Sequence, residues 1–166
     1  MPEPVVSSAH LAAGESPALS EFEFALTLAA NAYQRWIVRC AAAAGSSLSP
    51  LEVLVLHTVR HRDRAKRLAD IMLVLDIEDT HLATYAVRKL TAAGLVDATR
   101  AGKEKLIGAT AAGRAFCDRY AEIRERLLVH PLVSDGPGDD GISQVAERMR
   151  SLSGQYNQAA RAAATL

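Results

Sequence analysis

A single β-hairpin is predicted inside a chain whose other periodic segments are helical. Residues 94–116, GLVDATRAGKEKLIGATAAGRAF, hold two short runs with strand character around a turn at Ala101 and Gly102. Gly102 can adopt positive φ without steric cost, which suits a tight turn. A lone hairpin of this size is marginally stable in water. The sequence therefore predicts that the hairpin packs against helices.

Four helices are predicted ahead of the hairpin. The first is expected over residues 20–44, because Ser20 and Glu23 form a capping box and Gly45 ends the pattern. Ser49 caps the second helix, which is mostly apolar and is therefore expected to be central. The third and fourth helices are predicted in DRAKRLADIMLVL and DTHLATYAVRKLTAAG. The third is capped by its opening aspartate, and the fourth by its opening aspartate or threonine.

Two further helices are predicted after the hairpin. Thr110 caps the first of them, expected over 110–129, and a loop in HPLVSDGPGDDG separates it from the last helix, expected over 143–164. Residues 1–19 are rich in Ser, Pro, Ala and Glu and show no period. We therefore expect a disordered N-terminal tail over 1–19.

The first and last predicted helices each carry an apolar seam. Apolar residues recur at steps of three and four along the first helix, at Phe22, Leu26, Ala29, Tyr33, Trp36, Cys40 and Ala43. The last helix repeats this stepping at Val145, Met149, Leu152, Tyr156, Ala159 and Ala163. The two seams either pack on each other within one chain or pair with those of a second subunit. We favour a two-fold homodimer, because little else in the chain is left to cover them.

Composition excludes several classes of protein. The chain has 166 residues and 49% hydrophobic content, enough for one packed domain, and no apolar run approaches the roughly 18 residues of a membrane helix. We expect a cytoplasmic protein with no membrane partner. Cys40 and Cys117 are too few for a disulfide framework or a metal cage, so we expect neither metal nor cofactor. The chain has no Gly-rich phosphate loop and no nucleophile elbow, so we expect no enzyme.

Charge is unevenly distributed along a chain whose formal net charge is zero. Neutrality argues against a strongly cationic nucleic-acid binder. Residues 57–105, however, hold 10 Lys and Arg against 7 Asp and Glu. The positive excess therefore coincides with the predicted short helices and the hairpin.

The fourth predicted helix has a polar arc opposite an apolar one. The apolar side, expected to face the core, carries Leu82, Ala86, Leu90 and Ala93. The opposite arc carries His81, Thr84, Tyr85 and Arg88. These side chains can donate and accept hydrogen bonds, and Arg88 suits a guanine edge or a phosphate. We favour a groove-reading helix over a plain solvated face, which usually carries more Glu and Lys pairs.

Two short helices joined by a turn and followed by a β-hairpin make up the winged helix-turn-helix arrangement. Over roughly residues 20–166 the chain resembles MarR-type bacterial transcription regulators. The resemblance is carried by the run LADI, a helix ending in RKLTAAGLV, a basic hairpin and the run ATAAGRAF. The resemblance implies a mainly α fold with a small β-hairpin and a single domain over 20–166. A DNA-reading head over 50–109 would be flanked by dimerisation helices over 20–44, 110–129 and 143–164.

The resemblance also implies a basic DNA-contacting surface. The hairpin, or wing, carries Arg100, Lys103 and Lys105, which can reach phosphates or an adjacent minor groove. Arg64 and Lys66 belong to the run RHRDRAKR, at a place where winged-helix proteins touch the duplex flank. A solvated basic surface is the alternative interpretation. This chain has Ala-Gly-Lys where the family's wing has Asp, any residue, Arg, and its helix-turn-helix is about four residues longer.

MarR-like proteins often respond to small aromatic ligands held between the dimer helices and the reading head. By position, the candidate ligand-binding residues are Tyr33, Trp36, Arg39 and His57. Core packing is the alternative interpretation of these side chains. We do not expect redox sensing, because buried thiols without a cationic neighbour are inert.

The sequence thus predicts a homodimeric, sequence-specific DNA-binding transcription regulator, and we expect a repressor. Its paired recognition helices would read a pseudo-palindromic operator with half-sites about one helical turn apart. A small aromatic effector is a further candidate partner. The alternative is a winged-helix protein–protein interaction module with little or no DNA binding.

Overall fold

The structure is a computed structural model that describes residues 4–136 and 138–166. Over these residues it is mainly helical with one antiparallel hairpin, which confirms the predicted fold class. The helices before the hairpin are α1 (Ala9–Ala12), α2 (Pro17–Ala43), α3 (Pro50–Arg60), α4 (Leu68–Leu75) and α5 (Thr80–Ala92). The strands are β1 (Val96–Ala101) and β2 (Glu104–Ala109), and the helices after them are α6 (Ala111–Arg124), α7 (His130–Asp135) and α8 (Gly138–Ala163).

Helix α2 begins three residues before the predicted start. The backbone N–H of Leu19 donates to the Ser16 side chain at 3.3 Å, and Pro17 takes the first helical position, where its missing N–H costs nothing. Ser20 is buried within the helix, so the predicted cap at Ser20 is wrong. The prediction of a disordered tail over 1–19 is also wrong for α1 and for the first residues of α2.

Helix α3 is the centre of the fold, as predicted. The Ser49–Glu52 capping box is present, with the Ser49 N–H donating to the Glu52 carboxylate at 2.9 Å and the Glu52 N–H donating to Ser49 Oγ at 3.3 Å. Helix α3 contacts α2, α4, α5 and β2. Its buried residues are Val53, Val55, Leu56 and Val59.

Helix α4 begins at Leu68, later than predicted, because the residues ahead of it pair with the hairpin. The Lys66 N–H donates to the Ile107 carbonyl at 2.9 Å, and the Ile107 N–H donates to the Lys66 carbonyl at 2.8 Å. Backbone groups engaged in this bridge are not available to a helix. Asp63 is therefore not the cap of α4; it has a φ of +51° in the short 3₁₀ turn that follows α3.

The hairpin pairs Val96 with Ala109 at its root and Ala101 with Glu104 at its tip. The two-residue turn is therefore Gly102-Lys103, one residue beyond the predicted Ala101-Gly102. Gly102 has a φ of +63°, which a hairpin turn with glycine at its first central position requires.

The predicted cap of α6 is confirmed, since the Gly113 N–H donates to Thr110 Oγ1 at 3.0 Å. The predicted loop HPLVSDGPGDDG is wrong, because a π-helical segment over Glu125–Val129 leads directly into α7, and α8 starts at Gly138 instead of Ser143. Pro131 lies in the first turn of α7, where proline is tolerated. Pro137, also in this loop, lies outside the described residues.

The chain divides into two compact units, one up to Ala121 and the other Glu122–Leu166. The core of the first unit includes Ile37, Leu56, Ile71, Leu90, Ile107 and Phe116. In the second unit α8 buries none of its side chains, although it carries the predicted apolar seam. Among the described residues, we find no helix with the length and apolar character needed to cross a bilayer.

Candidate nucleic-acid interface

Helix α5 follows α4 after a four-residue turn and presents one face to the core. Its buried residues are Ala83, Ala86, Val87 and Leu90. The prediction is confirmed for Ala86 and Leu90, but Leu82 is 55% exposed and Ala93 is also exposed. The buried stripe follows the i, i+3, i+4, i+7 spacing from Ala83, and the small alanines let α5 approach α3 closely. The core face is therefore rotated relative to the predicted one.

The predicted polar arc of α5 is nevertheless exposed. His81, Thr84, Tyr85 and Arg88 are all on the surface. Asp79 caps the helix, its carboxylate accepting from the His81 N–H at 2.8 Å. The arc begins at His81, in the first turn of α5, and in helix-turn-helix proteins the N-terminal residues of the recognition helix contact base edges.

Tyr85 organises two cations on this face. The Arg88 guanidinium carbon lies 5.3 Å from the centre of the Tyr85 ring, and the Lys89 ammonium lies 5.5 Å from it. Both distances suit cation–π attraction. Arg88 therefore contacts the Tyr85 ring on the exposed face of α5.

The wing has an unfavourable pairing of like charges. Arg100 and Lys105 are direct cross-strand partners, and both are exposed, as is Lys103 in the turn. Like charges directly opposite each other destabilise a strand pair. An anionic partner, such as a DNA phosphate, would relieve this repulsion.

An ionic contact that the sequence analysis missed joins the wing to α4. Arg67 forms a bidentate pair with Asp70, at 2.9 and 2.8 Å, and reaches Glu104 of the wing at 3.4 Å. Hydrogen bonding from Arg67 lowers the pKa of the Asp70 carboxyl. The i, i+3 spacing of Arg67 and Asp70 is visible in the sequence, but the contact with Glu104 needs the tertiary fold.

Lys66 does not point to solvent, which corrects its predicted role at phosphate. Its ammonium donates to the carbonyls of Val59, His61 and Arg64, at 3.1, 2.6 and 2.7 Å. All three of its N–H donors are thus engaged, and burial together with the nearby Arg64 lowers the pKa of Lys66. Lys66 stabilises the end of α3 and the turn after it.

The remaining cations of the run RHRDRAKR differ in their accessibility. Arg64 is exposed and forms no ion pair within the part of the chain that the structure describes. Arg60 is held by Asp63 at 3.0 Å and by Asp118 at 3.8 Å. Of the two flanking residues predicted to contact DNA, Arg64 stays accessible and Lys66 does not.

The four predicted ligand-binding residues are not brought together. Tyr33 lines a cavity of about 440 Å³ between α2 and α3, which Ile37 and Leu54 also line. Trp36, Arg39 and His57 do not line it; the His57 ring instead packs edge-on against Tyr120, with the ring centres 4.7 Å apart. Of the four residues, Tyr33 alone lines this cavity.

Neither cysteine has the surroundings of a redox sensor. Both Cys40 and Cys117 are buried and unbridged. Desolvation is the main cause that raises the pKa of Cys117 to about 11, so its thiolate is scarce near neutral pH. Among the described residues, no group of His, Cys, Asp and Glu side chains could hold a metal ion.

Comparisons with known proteins agree with this architecture. A family model of the winged helix DNA-binding domain matches residues 48–113, from the loop before α3 to the first turn of α6. A comparison with curated protein sequences found no match.

Solved structures of MarR-family proteins superpose on most of the chain. A MarR-family regulator from Neisseria meningitidis has a TM-score of 0.68 at 14% identity, covering 86% of this chain and 95% of that one. CouR from Rhodococcus jostii RHA1, bound to p-coumaroyl-CoA, has a TM-score of 0.66 at 18% identity, covering 84% and 95%. A mutant MarR from E. coli, complexed with operator DNA, has a TM-score of 0.64 at 15% identity, covering 76% and 89%.

The matched region contains the whole helix-turn-helix, from α3 to α5, together with both strands of the wing. The long helices on either side extend the likeness to most of the chain. Residues 48–113 therefore match the winged helix DNA-binding domain, in a chain that has the fold seen in the MarR-family proteins of solved structure.

Proposed function

We propose that the protein is a homodimeric, sequence-specific DNA-binding transcription regulator. One observation carries this proposal: the exposed polar face of α5 lies in a winged helix domain whose wing sets Arg100 directly opposite Lys105. A helix that offers hydrogen-bonding side chains beside an uncompensated cationic strand pair has the chemistry that duplex DNA demands. Occupancy of an operator blocks transcription when it overlaps a promoter, so we expect repression.

The side chains of this interface divide into two roles. Thr84, Arg88 and His81 are proposed to contact base edges in the major groove, with Tyr85 holding Arg88 in place. Cations outside the helix are proposed to contact phosphates, which position the protein without reading sequence. These cations are Arg64, Arg100, Lys103 and Lys105.

The homodimer is supported by the exposed seam of α8. Val145, Met149 and Tyr156 are 57%, 39% and 37% exposed in the single chain. Apolar residues at this spacing gain free energy when a second helix covers them. A two-fold dimer would present two copies of α5 to a pseudo-palindromic operator.

Fluorescence anisotropy with duplexes selected from a random pool tests the proposal. The full chain should bind its selected duplex below about 1 μM, and its affinity should fall steeply with salt because bound phosphates release counterions. Arg35→Ala, which removes an exposed cation of α2, is the matched control and should leave binding unchanged. A pool that yields no enriched duplex at low salt would overturn the proposal.

A second candidate function is a protein–protein interaction module. It is favoured by an apolar patch at the end of α4, where Leu73 is 83% exposed and Val74 is 68% exposed. Acidic residues at 76, 78 and 79 follow this patch, and they would repel phosphates. If the pool experiment fails and Leu73→Ser abolishes binding to a purified partner protein, this second function replaces the first.

The cavity beside Tyr33 is our proposed site for a small aromatic effector. Its lining is apolar apart from the side chains of Tyr33, Gln34 and Ser49. Tyr33→Ala should abolish any effect of such a ligand on DNA affinity, measured by anisotropy with and without the ligand. An effect that survives this substitution would place the effector elsewhere.

A further inference from the structure

Helix α4 has few polar side chains for a helix that reaches the surface. Asp70 is the only polar residue in its sequence, LADIMLVL, and Arg67 holds that carboxylate at 2.8 Å. Ile71 is fully buried in the core, whereas Leu73 and Val74 are largely exposed. A helix that is apolar on all sides is normally buried on all sides. One side of α4 is therefore apolar and unburied in the part of the chain that the structure describes.

This side of α4 forms a groove with the start of α5. The groove has a volume of about 620 Å³. Its apolar lining includes Leu68, Met72, Leu73 and Ile77, and its polar members are Asp76 and Thr80. Leu68, Met72 and Ile77 are half-buried, so they stay partly accessible to a partner. Burying this surface would reward an occupant with an apolar face.

The turn beside the groove is acidic. Asp76 lines the groove, Glu78 and Asp79 follow it in the turn to α5, and all three are exposed. The sequence has no Lys or Arg from Leu68 to Val87. The charge that this segment contributes is therefore negative. An apolar groove with an acidic rim is complementary to a partner that is both apolar and cationic.

The charge of the rim argues against three other occupants. Duplex DNA and anionic membranes are both repelled by carboxylates. A second copy that docked through the same groove in a two-fold contact would bring two identical acidic turns together. The described lining residues all belong to α4, α5 and the turn between them, so an added β-strand would find no strand edge there. An amphipathic helix needs no strand edge, because it lays its apolar face into a groove.

We propose that the groove beside α4 is a docking surface for a cationic amphipathic helix of a partner protein. The apolar face of that helix covers Met72 and Leu73, and its Lys or Arg side chains face Asp76 and Glu78. The groove shares no lining residue with the proposed DNA interface, so docking does not depend on the proposed DNA-binding function. The proposal gives a defined partner chemistry to the patch that favours the second candidate function.

Fluorescence anisotropy of the full chain with a labelled synthetic peptide tests the docking surface. The peptide is an amphipathic helix of about 15 residues, with leucine at positions i, i+3, i+4 and i+7 and lysine elsewhere. The wild type should bind it with a micromolar Kd, and binding should weaken as salt screens the charges. The matched peptide with glutamate in place of lysine should not bind. Equal binding of the two peptides would overturn the proposal.

Two variants test whether the peptide occupies the groove. Leu73→Ser removes an apolar contact and Glu78→Lys reverses a rim charge, so each should weaken binding of the lysine peptide by about tenfold. Both residues are exposed, and circular dichroism should show an unchanged fold. The matched controls are Leu28→Ser and Glu15→Lys, which change an exposed leucine and an exposed glutamate outside the groove and should leave binding unchanged. Full binding by Leu73→Ser would overturn the assigned surface.

Sedimentation without peptide separates a partner helix from a second copy of this chain. Leu73→Ser and the wild type should show the same oligomeric state, because the groove is free until a partner docks. A smaller assembly in Leu73→Ser would assign the groove to a second subunit and overturn the proposal. Neither experiment contains DNA. A chain that binds the lysine peptide but no duplex would fail the proposed DNA-binding function and leave the docking surface standing.

Discussion

Helix α3 is mostly apolar and α8 carries a narrow apolar seam, and the two helices have opposite surroundings. Helix α3 buries Val53, Val55, Leu56 and Val59, whereas α8 buries none of its residues. The pattern of apolar residues along a helix shows which face must be buried. It does not show whether the residues that bury this face belong to the same chain. The winged helix is thus stabilised within one subunit, and the contrast agrees with the proposed homodimer, in which a second subunit would cover the seam of α8.

The largest effect is expected in α3. Leu56→Ala should lower the free energy of unfolding by about 2–5 kcal/mol, because it leaves a cavity at a fully buried position. Urea denaturation followed by circular dichroism measures this change. A loss below about 1 kcal/mol would mean that the core around α3 adapts more easily than its burial indicates.

A smaller and concentration-dependent effect is expected in α8. Met149→Asp should weaken dimerisation by about 2 kcal/mol, or roughly 30-fold, because the seam would then bury a charged side chain in place of an apolar one. Sedimentation at micromolar concentration measures the dimer fraction. Arg148→Asp is the control, since Arg148 lies beside the seam positions and not among them. A Met149→Asp dimer as stable as the wild type would break the contrast between α3 and α8.

At the proposed DNA interface, Arg88→Ala should change specificity, and Lys103→Ala should change affinity alone. Loss of Arg88 should cost about 1–3 kcal/mol at the selected duplex and relax discrimination, because base contacts carry sequence information. Loss of Lys103 should weaken all duplexes alike and reduce the salt slope by about one. Competition anisotropy with selected and scrambled duplexes separates the two results. If Arg88→Ala discriminates between duplexes as well as the wild type does, another residue reads the DNA sequence.

The smallest effect is expected at the ionic contact between α4 and the wing. Arg67 lowers the pKa of Asp70 below its ordinary value of 3.8, so the pair stabilises the fold above that value. The contribution is lost as the pH falls through the lowered pKa. An NMR titration of the Asp70 carboxyl in Arg67→Gln should give a higher pKa than in the wild type. An unchanged, low pKa in that variant would assign the shift to other neighbours.

Local signals predicted the parts of the site that depend on nearby residues. The caps at Ser49 and Thr110 are correct, and of the aspartate and threonine predicted for α5 the aspartate, Asp79, is the cap. A cap needs only backbone groups within three residues, although the caps predicted at Ser20 and Asp63 are wrong. The exposed arc of α5 is also correct, since helical spacing alone separates its faces. The exact core face was missed by part of a turn, because Leu82 is as apolar as Leu90 and only packing distinguishes them.

Contacts between distant segments were beyond these local signals. Lys66 is far from Ile107 in sequence, yet their backbone bridge delays the start of α4 and turns the Lys66 ammonium onto three carbonyls. The pairing of Arg67 with Glu104 spans 37 residues. A cleft of about 500 Å³, lined by Leu68 of α4, Arg88 of α5 and Ile107 of β2, likewise requires these three elements to meet.

The amino-acid order by itself determined the succession of the six longer helices and the hairpin, the caps of α3, α5 and α6, and the polar character of the face that α5 exposes. These properties follow from backbone hydrogen bonding and side-chain periodicity over a few residues. Only the tertiary structure decided which cations stay accessible, where the wing is held and which cavities exist. Those properties depend on the distances between segments far apart in the chain, and neighbouring residues carry no record of such distances.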